Sequence, residues 1–321
     1  MAGIPVVAVE ANCRPMPLVG MGTAAYPLAP SDTIRSAVLH AIRVGYRHFD
    51  TAALYQSEQP LGEAASEALH QGLIKSRDEV FVTTKLSCRD AHPGLVVPAL
   101  KNSLRNLGME YVDLYLVHFP LSAKPGKNEL FFKKDELMST FDMASVWEGM
   151  EQCRDLGLAK AIGVSNFSCK KLEQLLETAK IPPAVNQVEM NPMWQQKKLR
   201  EFCVAKGIHV SAFSPLGGCG TPWGGDQVMG NNILKEIADA KGKTTAQVCL
   251  RWVYEQNVSV VVKSFNENRI KENLDILEWE LNEEERHKIS LIPQRRSVLA
   301  DIFCSSDGPY RSLEDLWDGE I

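Results

Sequence analysis

The 321-residue sequence lacks the patterns that mark several classes of protein. It contains no run of about 18 or more apolar residues, so no membrane span is predicted. Its first stretch, MAGIPVVAVEANCRP, has no basic region followed by a long apolar core, and we therefore expect no secretory signal. The 35 basic and 40 acidic residues give a net charge of −5 without a long run of one sign. This balance argues against a nucleic-acid or membrane partner.

The eight cysteines include no C-x-x-C pair and are scattered through apolar segments. We interpret them as buried, reduced thiols, which together with the missing signal predicts a cytoplasmic protein. The histidines show neither H-x-x-x-H spacing nor clustering with carboxylates. No metal site is expected.

Strand-like apolar runs alternate with helical patterns along the whole chain. Segments with 3.6-residue spacing separate the runs, as in SDTIRSAVLHAIRVG, with Ser31 as candidate N-cap, and VVPALKNSLRNLG, with Gly108 as candidate stop. Eight strand-then-helix units predict an α/β fold of the (β/α)8 TIM barrel type. Because no linker interrupts them, residues 1–321 are predicted to form one domain. The eight runs are PLVGMGT, YRHFD, EVFVTTK, YVDLYLVH, AKAIGVSN, AVNQVE, IHVSAFS and VSVVVKS.

A doubly wound open sheet is the competing architecture, because GMGTAA at residues 20–25 imitates its dinucleotide fingerprint. That fingerprint requires a helix to start at once, whereas Pro27 and Pro30 follow here. Three segments lie outside the alternation: the stretch before Gly20, the insertion FPLSAKPGKNELFFKKDELMSTFD, and the tail after about Ile292. The barrel is therefore predicted to have an N-terminal extension, long active-site loops and a C-terminal tail.

Ionisable side chains end three consecutive predicted strands. They are Asp50, Lys85 and His118, and Tyr55 follows the first of them. Since barrel active sites collect at the carboxyl ends of the strands, we expect the four in one pocket. A carboxylate would keep the lysine charged, and the ammonium would lower the pKa of the phenol. Tyr55 would then protonate a carbonyl oxygen that His118 orients.

Two basic residues mark the last strand and the helix after it. In VVKSFNENRIKENLD, Lys263 ends the strand and Arg269 lies in the first helical turn. A lysine, an arginine fork and a helix N-terminus suit a phosphomonoester. Reduction of a carbonyl requires a hydride as well as the proton from Tyr55. We therefore interpret the basic site as an anchor for the 2′-phosphate of NADPH, which supplies that hydride.

Several stretches resemble one family, the aldo-keto reductases, and the resemblance covers nearly the whole chain. YRHFDTAALY, VFVTTK and VDLYLVHFP are similar to the family's catalytic Asp, Tyr, Lys and His, which implies these roles for Asp50, Tyr55, Lys85 and His118. IGVSNF, NQVEMNP, AFSPLG and KSFNENRIKEN are similar to its cofactor segments. The resemblance implies cofactor-binding roles for Gly22, Thr23, Asp50, Ser165, Asn166, Gln187, Phe213, Ser214, Leu216, Lys263, Ser264, Phe265, Asn266, Arg269, Glu272 and Asn273.

The resemblance implies a barrel that uses NADPH, without a metal, to transfer a hydride and a proton to an aldehyde or ketone. Within the family, FDMASVWEGMEQCRDLGLAKAIGVSNFSCKKLE and GPYRSLEDLWDGEI resemble plant members, most of all the grass deoxymugineic acid synthases and more distantly the codeinone and chalcone reductases. Two positions depart from the family: Phe119 replaces a tryptophan, and Phe213 replaces a stacking tyrosine. The candidate substrate-contacting residues are Phe119 and Trp223, which the resemblance implies, and Tyr26 in the first loop and Phe303 in the tail, which their positions suggest.

The function expected from the sequence is NADPH-dependent reduction of a small-molecule carbonyl by a monomer, in the manner of a deoxymugineic acid synthase-like ketone reductase. Alternatives are a broad-range detoxifying carbonyl reductase and a non-catalytic, NADPH-binding regulatory barrel. A Schiff-base enzyme with Lys85 as nucleophile is a further rival. The carboxylate of Asp50 argues against it, because it would keep the lysine protonated. The N-terminal extension and the insertion match the family least well and are expected to shape the substrate pocket.

Overall fold

A computed structural model describes residues 3–11, 13–127 and 133–320 and shows a closed barrel of eight parallel strands. Two short strands, β1 (Val6–Val7) and β2 (Met16–Pro17), precede it. The last barrel strand pairs with the first, which closes the ring. The predicted (β/α)8 barrel is confirmed, and the doubly wound alternative is wrong. The barrel strands are β3 (Val19–Gly22), β4 (His48–Asp50), β5 (Phe81–Leu86), β6 (Val112–Val117), β7 (Ala159–Ser165), β8 (Val185–Glu189), β9 (His209–Phe213) and β10 (Ser259–Val262).

Helices surround the barrel, and none in the described part of the chain combines the length and apolarity that a bilayer crossing needs. They are α1 (Ser31–Val44), α2 (Glu58–His70), α3 (Val96–Leu107), α4 (Met143–Asp155), α5 (Cys169–Thr178), α6 (Lys197–Ala205), α7 (Gln227–Gly230), α8 (Asn232–Lys241), α9 (Thr245–Glu255), α10 (Glu267–Glu272), α11 (Glu283–Ser290) and α12 (Leu313–Trp317). Single 3₁₀ turns occur at Ala53–Tyr55, Arg77–Glu79, Lys134–Glu136 and Asp301–Phe303.

The helix ends show which local signals are decisive. Gly108 ends α3 in the left-handed conformation, with φ at 62°, as its position predicts. Ser31 is not the N-cap of α1, because it is already helical and Pro30 occupies the capping position. The carbonyl of Pro30 accepts the first bond of the helix, from the amide of Ile34, so the proline replaces the predicted serine cap.

The N-terminal extension forms a hairpin that covers the amino end of the barrel. Buried Met16 packs against the first residues of two strands, Phe81 and Val185, and against Leu114 and Ala161. The extension was expected to shape the substrate pocket, and this expectation is wrong. The hairpin packs against the amino ends of the strands, whereas the predicted catalytic residues lie at their carboxyl ends.

The tail and the insertion meet at the opposite, carboxyl end. Buried side chains of the tail form a second apolar cluster with residues that follow β5 and β6. The buried members of this cluster are Cys88, Leu121, Ala123, Leu137, Phe303, Leu316 and Trp317. Part of the insertion, residues 128–132, lies outside the described residues. The described part therefore joins the tail in covering the rim, by which we mean the end of the barrel where the strands end.

The hairpin's contribution can be measured by truncating its buried methionine. Met16→Ala should lower the free energy of unfolding by about 2–4 kcal/mol, because it leaves a cavity among apolar side chains. Val6→Ala, on the exposed side of the same hairpin, should change it by less than about 0.5 kcal/mol. Urea unfolding followed by circular dichroism compares the two. Equal effects would show that the hairpin does not seal the barrel.

Candidate active site

A buried ion pair lies at the centre of the rim. The ammonium of Lys85, at 1% exposure, donates to Asp50 Oδ1 at 2.5 Å and to the Thr51 carbonyl at 3.0 Å. The amide of Gln187 donates to the other oxygen, Asp50 Oδ2, at 2.8 Å. The Asp50 carboxylate is thus bonded at both oxygens, which a buried charge requires if it is to be tolerated.

Tyr55 and His118 complete the predicted group of four. Tyr55 lies in the 3₁₀ turn that follows β4, and its hydroxyl oxygen is 3.1 Å from His118 Nε2. The Lys85 ammonium is 4.9 Å from the centroid of the tyrosine ring. The residue after the turn, Gln56, has a φ of 54°. The structure therefore brings together the four side chains that the strand ends predicted.

The expected direction of the Tyr55 pKa is wrong. Burial raises the pKa of the phenol well above its ordinary value, and the Asp50 carboxylate raises it further. The expectation rested on the attraction to Lys85 alone, yet that ammonium is paired with Asp50 at 2.5 Å, and burial lowers the pKa of Lys85 itself. Desolvation therefore outweighs the ammonium, and Tyr55 remains a protonated phenol at neutral pH.

His118 is a neutral donor or acceptor rather than a cation. Burial lowers its pKa well below 6.5, and the neighbouring Lys85 charge lowers it further. Its backbone carbonyl accepts from the side-chain amide of Asn166 at 2.9 Å. The imidazole can therefore share a hydrogen bond with Tyr55 without adding charge to the pocket.

A second group of predicted residues joins β7 and β8 beside the ion pair. The hydroxyl of Ser165 donates to the Gln187 carbonyl at 2.7 Å, and the Asn166 amide lies 3.1 Å from that hydroxyl. Asn166 has a φ of 66°, which is uncommon for a residue other than glycine. Its buried Oδ1 has no hydrogen-bond partner among the described residues. An acceptor in this state fits a ligand that offers an amide donor.

The predicted phosphate anchor lies on another part of the rim. Lys263 follows β10, and burial and the nearby positive charge of Arg269 lower its pKa. Within the described chain, neither side chain has a carboxylate within 4 Å. Two cations near each other without a counter-ion fit a bound anion such as a phosphate.

The other expected cofactor residues fall into three segments. Gly22 and Thr23 end β3, where the Thr23 hydroxyl donates to the Asp50 carbonyl at 2.9 Å. Phe213 ends β9, and Ser214 and Leu216 follow it in a turn. The third segment surrounds α10 and contains Ser264, Phe265, Asn266, Glu272 and Asn273. Asn266 caps α10, whereas the Glu272 carboxylate already accepts from the Thr244 hydroxyl at 2.6 Å.

The four expected substrate residues form two aromatic pairs. Phe119 and Phe303 have ring centroids 4.7 Å apart, and Phe119 lies 5.7 Å from the His118 ring. Exposed Tyr26 meets Trp223 edge-on at 6.3 Å. We call the Phe119–Phe303 pair the aromatic wall.

Several polar side chains that hold this rim together were not predicted from the sequence. The hydroxyl of Ser57 lies 2.7 Å from those of Thr23 and Thr51, beside the ion pair. Glu189 is the last residue of the run AVNQVE, and its carboxylate accepts from the backbone amides of Ser297 and Val298 in the tail. Serine and threonine are too common to attract notice, but a glutamate within a buried strand is a signal that could have been followed.

The charge state of His118 can be tested by titration. Because its pKa in the folded protein lies below 6.5, its imidazole should remain neutral at pH 6.5, where an unperturbed histidine is about half protonated. Its contribution to stability should be complete above pH 6.5 and should be lost as the pH falls, since the unfolded chain then binds the extra proton. Nitrogen-15 spectra of labelled histidine, assigned with His118→Gln, measure this. A midpoint near the ordinary value would contradict the assignment.

The chain is similar to known proteins over most of its length. The profile of the Aldo/keto reductase family matches residues 18–292. A Citrus sinensis protein named (1S)-1,7-diacetoxy-luvungin A aldo-keto reductase is 61% identical over 308 residues, which cover 96% of each chain. Deoxymugineic acid synthase 1-D of Triticum aestivum is 61% identical over 312 residues, covering 97% of this chain and 99% of that protein.

A solved structure shares both the fold and part of the sequence. The Bombyx mori aldo-keto reductase, crystallised in complex with NADP, superposes with a TM-score of 0.84 at 35% identity. The match covers 94% of this chain and 97% of the Bombyx chain. The family profile covers all eight barrel strands, and the curated relatives match over nearly the full chain. The protein therefore belongs to the aldo/keto reductase family of oxidoreductases.

Proposed function

We propose that this protein reduces an aldehyde or ketone to an alcohol with NADPH, and that Tyr55 donates the proton. One observation carries the proposal: a protonated phenol and a neutral imidazole, 3.1 Å apart, stand beside a buried Lys85–Asp50 pair. Such a group can deliver one proton to a developing alkoxide. Family membership supports the reaction class.

The residues on the rim fit NADPH. The buried, unpartnered Oδ1 of Asn166 suits the carboxamide of a nicotinamide, with Ser165 and Gln187 beside it. Lys263 and Arg269 suit the 2′-phosphate, because they are two neighbouring cations. When bound, the reduced nicotinamide supplies the hydride. The NADP in the Bombyx complex supports the same cofactor here.

The chain's own groups then have separate tasks. Because its pKa is raised, Tyr55 keeps its proton until a strong base is present. The alkoxide that forms when a carbonyl is reduced is such a base and can take this proton. His118 can hydrogen-bond the carbonyl oxygen and so fix its position relative to the phenol. Lys85 and Asp50 hold the segment that leads from β4 into the turn carrying Tyr55, since Lys85 also bonds the carbonyl of Thr51.

The alternatives receive less support. A Schiff-base mechanism needs a neutral, accessible lysine, whereas Lys85 is fully buried and donates to a carboxylate and a carbonyl. A non-catalytic NADPH-binding barrel would have no use for the hydrogen-bonded Tyr55–His118 pair.

The aromatic side chains favour a broad range of apolar carbonyls. Tyr26, Phe119, Trp223 and Phe303 are uncharged, and they would contact a substrate through ring surfaces. Two relatives with the same 61% identity carry names that refer to different compounds, a luvungin derivative and deoxymugineic acid. Overall identity does not choose between them, so a deoxymugineic acid synthase-like role is our second candidate. Its named product is an acid, and an uncharged wall favours it less.

We further propose that the enzyme works as a cytoplasmic monomer without a nucleic-acid or membrane partner. All eight cysteines have free thiols, as expected in a reducing compartment. The group of four and the candidate cofactor residues come from a single chain. The net charge of −5 offers no attraction to nucleic acid.

Removing one hydroxyl tests the role of Tyr55. Tyr55→Phe should lower kcat by about 10²–10⁴-fold, the usual contribution of a positioned acid, while the affinity for NADPH stays within about twofold. Loss of NADPH absorbance with benzaldehyde gives the rate, and quenching of NADPH fluorescence gives the affinity. Tyr254→Phe, on α9, is the control and should behave like the unmodified protein. A Tyr55→Phe protein that keeps its rate would exclude this proton donor.

Removing one guanidinium tests the phosphate anchor. Arg269→Ala should raise the KM for NADPH by about 10–100-fold, because charged hydrogen bonds to a phosphate are lost. The KM for NADH, which lacks this phosphate, should hardly change. Lys271→Ala removes a like charge from an exposed position in the same helix and serves as the control. If NADH and NADPH respond equally, Arg269 does not recognise the 2′-phosphate.

A further inference from the structure

Lys171, in the first turn of α5, is almost fully buried, which is unusual for a lysine. Its Nζ donates to the Leu316 carbonyl at 2.8 Å and to Asp318 Oδ2 at 2.5 Å. Both acceptors belong to the end of the C-terminal tail. An ammonium buried in this way is retained only where its bonds compensate for lost hydration, so these contacts hold the tail on α5.

The same tail carboxylate is bound by the residue that caps α5. The Ser168 hydroxyl donates to Asp318 Oδ2 at 2.6 Å and accepts from the Lys171 amide at 3.2 Å. The amide of Cys169 donates to the Glu320 carboxylate at 3.2 Å. These bonds attach the end of the tail to the start of α5.

A second path leads from Lys171 to the substrate side. Its Nζ lies 4.8 Å from the centroid of the Tyr310 ring, and the Tyr310 hydroxyl donates to the Pro120 carbonyl at 2.5 Å. Pro120 directly follows Phe119, one half of the aromatic wall. The other half, Phe303, belongs to the tail itself. One ammonium therefore contacts the tail that carries Phe303 and, through Tyr310, reaches the residue next to Phe119.

We propose that Lys171 is a positioning residue for substrate selectivity. With Tyr310 and Asp318 it forms a tail latch, which holds the aromatic wall at the spacing that a bulky carbonyl compound requires. Its described contacts include neither the predicted cofactor residues nor the group of four. The kinetics of a small aldehyde should therefore not depend on Lys171. The selectivity part of this inference rests on the proposed function, whereas the latch itself does not.

The variants separate the latch from general stability. Lys171→Met removes the ammonium but keeps much of the buried volume, and Lys171→Arg restores a charge. Tyr310→Phe keeps the ring and removes only the bond to Pro120. Lys170→Met is the matched control, because its exposed ammonium lies 3.4 Å from the same Asp318 but makes none of the buried bonds.

The first measurement is steady-state kinetics with propanal and 2-naphthaldehyde. Lys171→Met should raise the KM for 2-naphthaldehyde by about tenfold, as expected when a charged hydrogen bond is lost, and should leave kcat and KM for propanal within about twofold. Tyr310→Phe should show the same split to a smaller degree, and Lys171→Arg should recover part of it. Equal losses for both substrates, or the same result from Lys170→Met, would overturn the proposal.

Hydrogen exchange tests the latch without relying on turnover. In Lys171→Met, exchange should rise in the tail and also at the amides of Leu121 and Ala123, which follow Pro120 and donate to the carbonyls of Phe119 and Cys88. A rise confined to the tail would overturn the coupling to the aromatic wall. If the unmodified protein oxidises NADPH with neither aldehyde, the proposed function fails, while exchange still decides the latch. If Lys171→Met does not fold, Tyr310→Phe decides both measurements.

Discussion

The buried pair of Lys85 and Asp50 is the interaction on which the rim depends. Two charges inside a protein are stabilising only when every polar atom finds a partner, and here the partners come from several elements. β4 and β5 supply the two charges, Thr51 directly after β4 supplies a carbonyl, and Gln187 on β8 reaches across to the second carboxylate oxygen. The parallel register of a closed barrel is what brings these elements together, since all eight strands end at one rim.

The barrel and its polar rim could be predicted from sequence because both depend on local patterns of apolar and polar residues. Each strand is a short apolar run, and a polar residue at its end marks where the side chains leave the core. Asp50, Lys85 and His118 could be grouped from their order along the chain, since consecutive strands in such a barrel are neighbours. Gly108 was equally readable, because a single residue in the left-handed conformation ends a helix.

What could not be predicted depends on contacts between distant parts of the chain. The direction of the Tyr55 pKa follows from burial and from the neutralisation of one charge by another, and neither is visible in spacing. Lys171 resembles any lysine near the start of an amphipathic helix until residues about 145 positions later fold over it. The place of the N-terminal hairpin was misjudged for the same reason, since its apolar residues fit either end of a barrel.

The protonation states of the rim have a consequence for control in the cell. A phenol whose pKa is raised and an imidazole whose pKa is lowered both keep their protons unchanged across the neutral range. A site built in this way is insensitive to moderate acidification of its surroundings. A reductase with such a rim would therefore respond to the supply of reduced cofactor rather than to modest changes in acidity.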